Sequence, residues 1–148
     1  MRYLLDTNVV LAGLRSRSGA SHKLLRWALE NTLPLVIHPK LVYEYRDVLS
    51  RPANLSELPF SWEEIEIILA QLVAAARPVE VRYLWRPNLR DENDNFLIEI
   101  AVAAWPCTII THNLKDFSRP ELIFPQIDIR TPADIVRTFQ PSTLEDRA

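Results

Sequence analysis

Short apolar runs alternate along this chain with longer segments whose apolar residues recur every three or four positions. That alternation narrows its folds more than any other feature. The runs are Arg2 to Leu5, Leu35 to Ile37, Cys107 to Thr111 and Ile123 to Ile129. A fifth segment alternates Val79, Val81 and Tyr83 with Glu80 and Arg82 and ends near Trp85. Between them, Val9 to Leu14 starts a helix, and Ser21 is placed to cap the next one, whose Leu24, Leu25, Ala28 and Leu29 share a face as far as Asn31. Pro39 suits the first turn of a helix carrying Leu41, Val42, Tyr45, Val48 and Leu49, and Pro52 stops it. After a Pro-bearing connection, Ser61 and Glu64 form a capping box ahead of Trp62, Ile65, Leu69, Leu72, Val73 and Ala76. Phe96 to Ala104 is an apolar helix ended by Pro106, and Thr131-Pro132-Ala133-Asp134 opens a last helix that runs to about Phe139. Strands alternating with helices predict an α/β domain with a central parallel sheet covered on both faces by right-handed crossovers.

Composition sets the scale of that domain. A chain of 148 residues that is 48% hydrophobic, with a net charge of −2, buries enough surface to fold without a disulfide or metal staple. One domain over residues 1–139 with a short tail at 140–148 is expected. No apolar stretch approaches the roughly 18 residues that span a bilayer, and Asp6 closes the first apolar run, so no membrane association and a cytoplasmic location are expected. Cys107 stands alone, which argues against a Cys-based zinc site and fits a small buried side chain. Lys and Arg total 17 against 19 acids, no signature of a nucleic-acid binder. Setting four carboxylates aside for a cation, however, turns the remaining balance positive.

In parallel sheets ligands gather beyond the carboxyl ends of the strands, and several residues there are acidic. Asp6 follows the first strand; alone it reads as a helix cap beside Thr7 and Asn8. Glu44 falls on the flank of its helix's apolar stripe, where a boundary residue paired with an arginine is the plainer reading. Asp94 is more telling, because Leu97, Ile98 and Ala101 follow at three, four and seven residues while Asn95 and Glu99 project elsewhere. A carboxylate on that buried arc is expensive without a partner. The competing reading is a reciprocal cap between Asp91 and Asp94. Asp116 follows the strand ending at Thr111, where an Asx turn would also serve. Separately each carboxylate has a structural explanation; together their placement at strand ends and on an inner helix arc has none. Oxygen donors without Cys or paired His select Mg²⁺ or Mn²⁺. Such ions lower the pKa of a bound water and neutralise charge developing on a phosphodiester.

The segments Leu5-Asp6-Thr7-Asn8-Val9, Tyr43-Glu44-Tyr45 with Leu49-Ser50-Arg51-Pro52, Arg90-Asp91-Glu92-Asn93-Asp94-Asn95, and Thr111-His112-Asn113 with Asp116-Phe117 occur in an order that resembles a PIN domain. The likeness covers about residues 2 to 136. It is greatest to the toxin components of bacterial and archaeal toxin–antitoxin systems (VapC-like). The resemblance implies a single three-layer α/β/α domain and a metal-dependent ribonuclease, commonly dimeric and neutralised by a cognate antitoxin. Asp6, Glu44 and Asp94 match the family's three principal acids, and Asp116 matches its more variable fourth. Many relatives carry Asp where this chain has Asn113, which points to one tightly held ion. Thr7, Asn8, Asp91, Thr111 and Asn113 would then be supporting residues. Asp6 and Asp94 would be direct ligands, with Glu44 and Asp116 holding waters or a second ion.

RNA needs a grip besides the ion, and Arg15, Arg17, Lys23 and Arg26 lie just after the first strand; an ordinary solvated face is the competing reading. His22, His38 and His112 are isolated and read as hydrogen-bonding or surface residues. Trp62 and Trp105 sit on core-like stripes. Two other readings use the same architecture. A haloacid-dehalogenase-type phosphatase needs a second Asp two residues after the first, where this chain has Asn8. A receiver-like or degenerate, non-catalytic binding module leaves Glu44 and Asp94 unexplained.

Overall fold

A computed structural model describes residues 1–81, 92–117 and 127–141 of the chain, and of 92–95 and 116 the backbone alone. The first strand, β1 (Arg2–Leu5), leads through Asp6 into α1 (Thr7–Arg15) and α2 (Ala20–Leu29). Then come β2 (Val36–Ile37), α3 (Pro39–Ser50), α4 (Pro52–Leu55), α5 (Trp62–Ala75) and β3 (Arg77–Pro78). The second half holds α6 (Glu92–Ala103), β4 (Cys107–Ile110), a 3-10 turn (Leu114–Phe117), β5 (Asp128–Arg130) and α7 (Pro132–Thr138).

Among the described residues all strand pairs are parallel. β4 lies between β1 and β5, with Leu5 opposite Ile110 and Ile110 opposite Arg130. β2 pairs with β3. A parallel bridge between Tyr3 and Leu35, with the Tyr3 N–H on the Pro34 carbonyl at 2.9 Å, joins the two pieces. The order across the join is therefore β3-β2-β1-β4-β5. The chain builds outward from β1 in one direction, then returns to β1's other edge with β4. That reversal makes a crevice at the carboxyl ends of β1 and β4, where open α/β sheets bind ligands. A receiver of the flavodoxin type has the order 2-1-3-4-5, so this arrangement departs from it.

The core follows the predicted stripes. Leu4, Leu5, Ile109 and Ile110 from the sheet meet Val9, Leu24, Leu41, Leu49, Ile65, Leu72, Leu97 and Ile98 from the helices, all essentially without solvent contact. The Ser61 and Glu64 capping box forms in full, and Thr131 caps α7. Among the described residues no helix is long and apolar enough to cross a membrane.

Several boundaries differ from expectation, each for an identifiable reason. α2 starts one residue before Ser21, from Gly19 at φ 104°, and Ser21 is turned inward instead of capping. Pro52 stops α3 and then occupies the first position of α4, a short helix where a plain connection was expected; proline suits that position. A strand lies at Arg77–Pro78, just ahead of the one expected from Val79, at an edge place where proline is tolerated, and Val79 N–H bonds the Ile37 carbonyl; the expected strand beyond Val81 lies outside the described residues. Trp85 and Tyr83 lie outside the described residues, as does the Ile123 end of the last predicted strand. α6 is apolar nearly all round, so Glu99, expected to project outward, is buried with Ile98 and Ile100. It ends at Ala103, which leaves Trp105 in the following turn and 56% exposed rather than in the core. Val73 on α5 is also exposed.

Candidate functional site

Asp6 is the first residue beyond β1 and the N-cap of α1. Its N–H continues the ladder to the Ile110 carbonyl at 2.9 Å, and its Oδ1 accepts from Thr7 N–H at 2.7 Å. The other oxygen, Oδ2, accepts from the hydroxyl of Thr111, the first residue beyond β4, at 2.7 Å. Thr111 is fully buried, and its Oγ1 accepts in turn from the Asn113 N–H at 3.1 Å. Asn8 lies across this pair: its Nδ2 is 3.4 Å from both Asp6 Oδ2 and Thr111 Oγ1, and its Oδ1 accepts from the His112 N–H at 3.3 Å. The ends of two neighbouring strands thus hold one carboxylate in a fixed rotamer, and Asp6 keeps only 9% of its surface exposed.

Glu44 reaches the same end of the sheet through its neighbour. The Tyr45 hydroxyl, fully buried, donates to the Leu5 carbonyl and so ties α3 to the last residue of β1. Burial, then the negative charges of Asp6 and of Glu44, push the Tyr45 phenol well above its ordinary range. The phenol therefore stays protonated and keeps its donor role. Glu44 itself is half-buried. The first turn of α6, which carries Asp94, is set by Phe96: its ring meets the His38 imidazole edge-on at 5.0 Å, and Lys40 Nζ lies 4.4 Å from its centroid. His38 is also the N-cap of α3, and its pKa is lowered by burial and then by Lys40.

The Asp94 and Asp116 side chains and all of Asp91 lie outside the described residues, although the backbone puts Asp94 in the first turn of α6 and Asp116 in the 3-10 turn after β4. Among the described residues no three of His, Cys, Asp and Glu come close enough to hold a metal. The donor chemistry nevertheless suits a hard cation. Asp6 is held between strand ends, the charges of Asp6 and Glu44 both act on the Tyr45 phenol, and the Thr7 hydroxyl, buried next to Asp6, is the one buried side-chain polar atom without a hydrogen-bond partner among the described residues. A buried hydroxyl left unmatched costs about 1–3 kcal/mol and marks a place where a partner is missing.

Of the four predicted RNA-contacting residues, Arg15 ends α1, Arg17 lies between the two helices, and Lys23 and Arg26 lie on α2. Arg15 pairs with Glu57 at 3.1 Å, Arg26 with Glu30 at 3.5 Å, and Lys23 Nζ lies 5.2 Å from the Trp27 ring centroid; Arg17 is exposed. Two of the histidines satisfy their hydrogen bonds as expected, His22 with the Gly13 carbonyl and His38 with Lys40 N–H. His112 makes a side-chain contact that its sequence position did not announce: its Nε2 lies 2.8 Å from the Ser21 hydroxyl, 91 residues away. The Thr111–Asp6 bond, across 105 residues, was equally invisible to spacing rules.

Comparison with known proteins agrees with this architecture. A solved structure, the crystal structure of VapBC2 from Rickettsia felis bound to a DNA fragment from their promoter, is similar in fold, with a TM-score of 0.59 at 16% sequence identity, over 88% of this chain and 98% of that one. No curated protein matches the sequence. The family model of the PIN domain matches residues 2–115, most of the chain, and with the strand order and the acid at the end of β1 this places the protein in the PIN domain family.

Proposed function

We propose that this PIN domain is a divalent-metal-dependent endoribonuclease and the toxin of a toxin–antitoxin pair. The observation that carries the reading is Asp6, fixed by Thr111 at the reversal point of the sheet, and it is supported by the bond from Tyr45, the neighbour of Glu44, to the last residue of β1. Mg²⁺ or Mn²⁺, when bound, would supply the Lewis acidity that activates water and offsets charge on the phosphodiester. Asp6 and Glu44 would hold it together with Asp94 and Asp116, whose backbone positions lie at the start of α6 and just after β4.

The chain's own residues then have separable tasks. The Thr111 hydroxyl and the Thr7 N–H donate to the Asp6 carboxylate and fix its direction, so no rotamer has to be frozen when the site is used. Asn8 keeps the two strand ends in register. Arg15, Lys23 and Arg26 hold surface partners whose exposed pairings are worth only about 0–1 kcal/mol, so RNA phosphates can displace them. Such backbone contacts give affinity rather than sequence choice. An antitoxin partner is supported by the fold shared with the VapBC2 complex, and a second copy of this chain is expected beside it as in the family at large.

The test is cleavage of single-stranded RNA by the purified chain with Mg²⁺ or Mn²⁺. We expect Asp6→Asn, which preserves the cap and the volume, to lose at least about 100-fold of the rate while its melting temperature stays within a few degrees of the parent. A parent that binds RNA but never cleaves it with either ion would overturn the reading in favour of a non-catalytic module.

A further inference from the structure

Beside the carboxylate end of the sheet lies a recess of about 280 Å³, walled by Ala12, Ser18, Gly19, Thr131 and Pro132, with Ser21 and His112 at its base. Ser21 is 7% exposed and His112 is open to solvent, and the two side chains are hydrogen-bonded at 2.8 Å. The recess adjoins the Asp6–Thr111 pair. His112 follows Thr111, and its peptide N–H bonds the same Asn8 side chain that touches Asp6. Its volume falls just below the roughly 300–1,000 Å³ of pockets that enclose whole small molecules, room for a single nucleotide base. Beside it a second cleft of about 330 Å³ shares Ser18 and Gly19 and adds Lys23, Arg26, Trp27 and Glu30, the exposed partner of Arg26.

We infer that the Ser21–His112 recess is the subsite for the nucleotide flanking the cleaved phosphodiester, with this polar pair reading the edge of its base. The inference rests on the ribonuclease reading above. The chemistry of the pair suits a base edge in either tautomer. If the Ser21 hydroxyl donates to Nε2, the imidazole offers its Nδ1–H and the serine oxygen accepts. If Nε2–H donates to Ser21, the hydroxyl donates onward and Nδ1 accepts. Each arrangement presents one donor and one acceptor, the minimum that distinguishes one base from another. Small side chains around the pair leave space for a flat ring. The adjoining cleft then offers Lys23 and Arg26 to the next phosphate and the Trp27 face to the next base, as single-strand grooves do.

The test compares parent, Ser21→Ala, His112→Ala, His112→Gln and the double alanine variant on a randomised single-stranded RNA pool, sequencing the product ends. We expect the parent to favour particular nucleotides beside the cut. Each single alanine variant should flatten that preference and raise KM about three- to tenfold, the weight of one hydrogen bond, with a smaller effect on kcat. The double variant should be no worse than the worse single, because the two side chains act as a unit, and His112→Gln should recover part of the preference. Fluorescence anisotropy of a labelled oligonucleotide in EDTA should show the same ordering of affinities without cleavage. If the parent cleaves and the variants keep its nucleotide preference and KM, the subsite is overturned and the ribonuclease reading stands. If the parent does not cleave, that reading falls, and unchanged metal-free binding in the variants overturns the subsite as well. Should Ser21→Ala fail to fold, the solvent-facing His112 variants carry the test.

Discussion

Replacing Gly13 by alanine sets two effects of known size against each other. Gly13 is buried in the last turn of α1, and glycine within a helix is about 1 kcal/mol less favourable than alanine, so helix propensity alone predicts a more stable protein. A Cβ at this position, however, would stand 2.9 Å from the Ser21 carbonyl oxygen, 3.2 Å from its carbon and 3.3 Å from Leu25 Cβ. Two of these three atoms are backbone of α2, which cannot turn aside as a side-chain tip would. Relief requires the two helices to separate, and α2 is also packed on α5 and α7. Forcing one carbon into a close-packed contact costs about 1–3 kcal/mol, and a 2.9 Å approach to backbone that cannot swing aside belongs in the upper half of that range, so the clash outweighs the gain. We expect Gly13→Ala to lose about 1–2 kcal/mol, a fall of several degrees in Tm for a domain this size. It should also weaken the Ser21–His112 bond, because the displaced atoms belong to Ser21. Urea and thermal melts read the first effect, and the His112 imidazole shifts in NMR read the second. A variant as stable as the parent or more so would refute the reasoning, since it would show that α1 and α2 separate at no cost.

Two further outcomes follow from the buried groups. Thr7→Val removes the unpartnered hydroxyl while keeping its shape, so the metal-free protein should be unchanged or more stable by up to about 1 kcal/mol, whereas Mn²⁺ affinity measured by calorimetry should fall; a clear loss of metal-free stability would mean that the hydroxyl has a partner after all. The Cys107 thiol is pushed up to about 12, chiefly by burial, so it should resist alkylation at pH 8 until the protein is unfolded. The sign of its stability effect is fixed. From the unfolded thiol value near 9 up to about 12 the unfolded chain loses its proton first, so this group's contribution is intact below pH 9 and declines as pH rises through that window. A Cys107→Ala variant that declines as steeply over the same range would remove the thiol as the cause.

Local signals carried the fold well where they were local. Pro39, the Ser61–Glu64 box and the Thr131 cap each act within one turn, and all three start helices where the sequence puts them. Leu97, Ile98 and Ala101 form the buried arc that their spacing predicts. Periodicity failed where tertiary contact outweighed it. Ser21 has the right chemistry for a cap, but the tight α1–α2 packing turns it inward, and Glu99 is buried because its helix is covered on several sides. Trp105 shares a stripe with residues of a helix that has already ended. At the site, the position of Asp6 after a strand was readable. What aims it was not, since Thr111 comes from the far half of the chain and becomes a neighbour only through the parallel register of Leu5 with Ile110.

That register also sets when the site can exist. β1 and α3 are made well before β4, so a growing chain presents Asp6 and Glu44 long before the hydroxyl that orients Asp6 has been translated. Until Cys107–Ile110 docks beside β1, one edge of the first strand is unpaired and the crevice has a single wall. A chain ending before β4 therefore lacks both Thr111 and the second wall of the crevice, so the arrangement around Asp6 is assembled only when the two ends of the fold meet.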